Sequence, residues 1–148
     1  MEDLILKGIV SRLNEIDSTV PIYTEQIKQG FSQPAFFVLQ INSSEDKGLN
    51  RRSVRSLLFD IHYFPSRDSL TQKADCRQVA EQLYEPFRYI ETVGGVVRSF
   101  NARHEVIEDV LHFFISMNVP LFIPKPEVQK IQKIEEKEAL KFGKKAGS

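Results

Sequence analysis

Three aromatic-rich segments constrain most of what this chain can fold into. They are IYTEQIKQGFSQPAFFV (Ile22 to Val38), LFDIHYFP (Leu58 to Pro65) and EDVLHFFISMNV (Glu108 to Val119). Each reads as a strand with a polar flank, because a strand sends alternate side chains to opposite faces. In Ala35 to Ile41, Phe36, Val38 and Gln40 share one face, and Phe37, Leu39 and Ile41 share the other. Both faces are largely apolar, which predicts a central place in a sheet. From Arg51 to Phe64, Leu57, Phe59, Ile61 and Tyr63 alternate with Leu58, Asp60, His62 and Phe64. Pro65 ends that run.

Helical spacing appears twice. Ile5, Leu6, Ile9, Leu13 and Ile16 form one stripe over Glu2 to Ile16, with Glu2 and Asp3 in the first turn, where they complement the helix dipole. Later, Ser69 and Gln72 have capping-box spacing ahead of the stripe Cys76, Val79, Ala80, Leu83 and Phe87, and Pro86 marks the end. Val20 to Thr24 reads as a short strand, and Glu25 to Pro34 as a connection. Asn42 to Asn50 is polar and reads as a hairpin tip or mobile loop. Tyr89 to Val93 and Val96 to Arg103 read as strands joined through Gly94-Gly95. Val110 to Phe122 is the last strand, bent near Pro120. The order predicts an α+β fold: a mostly antiparallel (mixed) β-sheet packed by two helices, with an additional C-terminal tail helix. The expected division is a single domain over 1–124 and a charged helical or disordered tail over 125–148. Within the tail, Glu127 to Phe142 has the helical pattern.

The chain has 148 residues, enough to bury a core without disulfides or metals. Its formal net charge is zero, which argues against a DNA-coating protein. From Lys125 to Ser148, 7 Lys face 4 Glu, so a basic tail follows a mildly acidic body. A lone Cys76 excludes a disulfide-stapled scaffold and fits a reducing compartment. No apolar run approaches the roughly 20 residues of a membrane span, and MEDLILKG places acids where a signal peptide needs bases. A soluble cytoplasmic product is expected.

Candidate chemistry is sparse. Asp60 and His62 point to the same side of one strand, and His112 lies on the last strand. If those strands were neighbours, the three residues would offer a metal or acid–base site, and a metal-dependent small enzyme is the alternative reading. A zinc site needs three or four ligands, no cysteine joins these, and half-exposed sheet faces ordinarily carry such residues. The structural reading is therefore preferred, with no catalytic, cofactor or metal residue assigned. Cys76 sits on an apolar stripe, where a thiol is inert. The chain lacks a GxSxG elbow, a GxxxxGK loop and an HExxH helix. The aromatics outnumber what one sheet face needs. Phe37 opposes Phe36 and Phe114 opposes Phe113, so the second face is expected to be covered by the tail helix or another subunit.

Taken in order, the three segments resemble the tail terminator proteins of tailed bacteriophages and prophages. The resemblance lies in Ile22, Tyr23, Gln29, Gly30, Phe31, Pro34, Phe36 and Phe37, then Tyr63, Phe64 and Pro65, then Asp109, Val110, Leu111, His112 and Phe113. It spans about residues 2 to 123, and this chain lacks the family's glycine between Asp109 and Val110. It implies a structural role without cofactors. Such proteins form a ring, usually six-fold, on the head-proximal end of the tail tube. The ring stops tube polymerisation and meets the neck. The implied partners are the protein itself, the tail tube protein and neck or head-completion proteins, with no membrane and no sequence-specific nucleic acid. The implied location is the host cytoplasm during assembly, then the tail–neck junction of the virion. A neighbouring neck or connector component is the other viral reading. The mixed charge of Glu45, Asp46, Arg51, Arg52 and Arg55 beside a long strand predicts a subunit or tube interface there.

Overall fold

The computed structural model describes residues 1–25 and 30–122. The predicted tail helix and Gln29 lie outside the described residues. The first helix, α1, spans Glu2–Ile16 and buries Ile5, Gly8, Ile9 and Leu13. It stops where Asp17 turns extended, its N–H still bonded to the Leu13 carbonyl at 3.0 Å. The Asp17 carboxylate then accepts from the Thr19 hydroxyl and N–H, which together hold it below the ordinary carboxylate range.

Strand β1 (Ile22–Tyr23) runs parallel to β2 (Ala35–Lys47), with Ile22 opposite Phe36 and Tyr23 opposite Phe37. Then come β3 (Arg52–Phe64), α2 (Gln72–Leu83), a 3-10 turn (Pro86–Arg88), β4 (Tyr89–Thr92), β5 (Gly95–Ile107) and β6 (Val110–Phe122). All six strands join one sheet in the order β1-β2-β3-β6-β5-β4. The pairs β4–β5 and β5–β6 are antiparallel. Between β3 and β6, Ser56 bonds Asn118 while Asp60 meets His112, so these strands also run in opposite directions. The fold is α+β: two helices on a mixed sheet, as the periodicities predict.

Two elements are longer than their polarity predicts, and one cap differs. β2 does not stop at Ile41 but continues through the polar residues to Lys47. Polarity forecasts exposure, and residues 40–47 are exposed, but pairing with β3 satisfies the backbone regardless of side chain. β5 likewise continues past Arg103 to Ile107, with a register shift between Phe100 and Arg103 where Asn101 takes a positive φ of 57°. The Ser69–Gln72 capping box does not form. Thr71 is the N-cap, Ser69 turns to the Asp75 carboxylate, and the Gln72 amide donates to the Ser66 carbonyl at 3.1 Å.

The described chain divides into two compact units, residues 1–46 with 54–120 and residues 47–53 with 121–122. In the smaller unit the hairpin tip is closed by the Gly48 N–H donating to the Arg52 carbonyl at 2.6 Å. Asn50 and Arg51 hold positive φ there, and the Arg51 guanidinium stands 6.0 Å from the Phe122 ring centroid. In the larger unit a single core fills the space between helices and sheet. The sheet contributes Phe36, Val38, Leu57, Phe59, Ile61, Leu111, Phe113, Ile115 and Met117. The helices contribute Ile5, Ile9, Leu13, Cys76, Ala80 and Leu83. Each fully buried side chain of this size is worth about 1.5–3 kcal/mol of transfer free energy, which makes this face the driving force of the fold.

Candidate functional site

The other sheet face carries the aromatic and polar side chains that the core does not use. Phe37, Phe31, Phe64 and Tyr23 pack there edge-on or tilted, with centroids 4.9–6.4 Å apart. The period of two explains the split: Phe36 and Phe113 face the helices, whereas Phe37 and Phe114 face away. Further along, Phe114 lies under the Arg103 guanidinium at 4.2 Å.

Between these groups the structure joins Asp60, His62 and His112. Because β3 and β6 are adjacent, residues 52 apart in sequence meet at this point. His62 Nε2 lies 2.8 Å from Asp60 Oδ2, and His112 Nδ1 lies 3.2 Å from the same oxygen. The two imidazole centroids are 4.3 Å apart. Asp60 is 4% exposed, and its Oδ1 has no hydrogen-bond partner among the described residues. The sequence placed all three on strands but could not show that the strands are neighbours. The third histidine, His104, is apart from them and pairs with the Tyr84 hydroxyl at 2.6 Å.

The charged residues of β2 and β3 fall into two groups. Arg55 is held within the chain: it donates to Glu45 Oε1 at 2.6 and 3.1 Å and to Glu2 Oε2 at 2.8 Å. Glu2 also accepts from Ser43 and Gln40 at 2.8 and 3.1 Å. Those two bonds, with Arg55 adding to them, hold the Glu2 carboxyl below its usual value, and Glu45 then Glu2 raise Arg55. Helix α1 is thereby tied to β2 and β3, a link that sequence reasoning missed and that only the acidic first turn hinted at. Asp46, Arg51 and Arg52 are exposed.

Most of the aromatic motif residues are packing groups. Tyr63 touches Phe36 at 5.1 Å, Pro65 is buried, and Leu111 and Phe113 are fully buried. Gly30 has a φ of +81°, a conformation that favours glycine. Cys76 is buried as predicted, and burial pushes its thiol pKa up.

The fold defines a small α+β protein of one six-stranded sheet, with an aromatic cluster and an Asp60–His62–His112 group on the face away from the helices. The sequence model of the family described as "Phage tail terminator protein" matches residues 4–129, and the chain belongs to that family. It is therefore a phage tail assembly protein, of a structural family. No curated protein matches. Thirteen solved chains do. One of them, titled only with a sequence label, shares 14% identity, covers 84% of this chain and 99% of its own, and superposes with a TM-score of 0.40. No helix among the described residues is long and apolar enough to cross a membrane.

Proposed function

We propose that this protein caps the head-proximal end of the phage tail tube as a closed homo-oligomeric ring of six copies. The observation that carries this reading is the family match over residues 4–129. A cap of this kind needs a head-to-tail interface that closes by rotation, one face matched to the tube and another that does not template more tube. The long β2 and β3 strands support the reading because they carry exposed residues of mixed charge near their shared turn, Asp46, Arg51 and Arg52. Arg55 and Glu45 brace these strands from within. The ring then presents its remaining face to the neck proteins.

The test is tail length. Deleting the gene from its phage or prophage and inducing should give overlong, headless tails by negative-stain electron microscopy, rescued by the protein supplied in trans. Normal-length tails that fail to join heads would move the protein to the neck. Normal, joined virions would refute the structural role. The R51E/R52E pair is the sharper interface test, since Arg55 also serves the fold. Its tails should be capped poorly while the protein stays folded.

A further inference from the structure

We propose that Asp60, His62 and His112 bind one divalent transition-metal ion of the zinc class, as a clip between β3 and β6. The three donors, one oxygen and two imidazole nitrogens, lie within 4.8 Å of one another. Bonds of about 2.0–2.1 Å to such an ion set donor–donor edges of roughly 3.3 Å in a tetrahedron. The observed 2.8 and 3.2 Å separations from Asp60 Oδ2 are already close to that. Small rotations of the half-exposed rings complete the set; their side chains are 17% and 21% exposed.

A second observation points the same way. Asp60 Oδ1 is buried and without a hydrogen-bond partner among the described residues, while both histidines crowd onto Oδ2. A buried carboxylate oxygen left unpaired is costly, and an ion that the Asp60 carboxylate chelates through both oxygens, beside the two imidazoles, satisfies Oδ1 as well. The donor chemistry narrows the ion: two imidazoles with one carboxylate suit zinc and its first-row neighbours, iron(II), nickel and copper included, rather than calcium or magnesium. Three protein donors leave a fourth position for water or for a donor from another chain.

The consequence is mechanical rather than catalytic. β3 and β6 are the two central strands of the sheet, and Asp60 and His112 are 52 residues apart. A metal bridge there closes a long loop and ties the two halves of the sheet together. The flanking Phe64 and Phe114 rings, each 6.3 Å from a ligand imidazole, shield the ion on the sheet face.

The test uses the full chain after chelator dialysis, titrated with Zn²⁺ by calorimetry and with Co²⁺ by visible absorption. One-to-one binding is expected, with tetrahedral-type cobalt absorption and a Tm rise of roughly 5–10 °C at about 100 times Kd. H62Q and H112Q should each weaken binding by about 100-fold or more, since even loss of an outer-shell partner costs 10–100-fold. H104Q should bind as the native chain does. Circular dichroism confirms that each variant is folded. The chain has three histidines, so these variants account for every imidazole. Absence of saturable one-to-one binding overturns the proposal, as does native affinity in H62Q or H112Q. Tail length is read separately, so the metal site and the capping role can fail independently.

Discussion

Replacing Gly8 by alanine should destabilise this protein, although helix propensity alone forecasts the opposite. Gly8 lies in the middle of α1, where alanine is ordinarily favoured over glycine by about 1 kcal/mol. Here the helix is seated directly on β4. A Cβ at position 8 would meet the Glu91 carbonyl oxygen at 2.6 Å and Ile90 Cγ2 at 2.8 Å. The first is about 0.8 Å short of an ordinary 3.4 Å contact, and it is backbone, so no rotamer change relieves it. The helix or the strand has to move. Overpacking of this kind costs about 1–3 kcal/mol, and a backbone obstacle puts the cost toward the upper end. Setting that against the propensity gain leaves a net loss of about 1–2 kcal/mol. For a chain of this length that is a Tm decrease of roughly 3–8 °C. Thermal melting of G8A measures it, with S11A as control at an exposed position of the same helix, expected within about 0.5 °C to 2 °C above the native chain. A rise in Tm for G8A matching or exceeding S11A would refute the close approach of α1 to β4.

Three further outcomes follow from the same structure. The β5–β6 turn forces positive φ on Glu108 and Asp109, 50° and 64°, so the double change E108N/D109G should stabilise by about 1 kcal/mol, read as a higher urea midpoint. Glu2 has a depressed folded pKa, so its contribution is present above the unfolded value of 4.5 and is lost as pH falls through the folded value. The native chain should therefore exceed E2Q in urea midpoint at neutral pH, and the gap should close in acid; a gap independent of pH would contradict the bonds to Ser43, Gln40 and Arg55. Cys76 is buried with a raised pKa, so a thiol reagent should modify it only slowly at neutral pH and rapidly once the chain is unfolded in urea.

The local periodicities of the sequence determined the elements. The stripe Ile5, Ile9, Leu13 placed α1 at its observed bounds, and alternation placed β3 and β6 within a residue of theirs. Where side-chain polarity was the only signal, as in residues 42–47 of β2, the extent of a strand was not legible, because backbone pairing is indifferent to it. The buried state of Cys76 was legible from its stripe, and the family from the order of the aromatic segments.

Only the tertiary structure decided which strands are neighbours. No spacing within β3 or β6 says that the two are paired at the centre of the sheet, yet that pairing alone brings His112 to Asp60 and His62. The same holds for Arg55, which reads in the sequence as one of several surface arginines and in the fold bridges α1 to β2. Periodicity is a property of neighbours along the chain. A site shared between strands is set by long-range packing, where the burial of one whole sheet face selects the register.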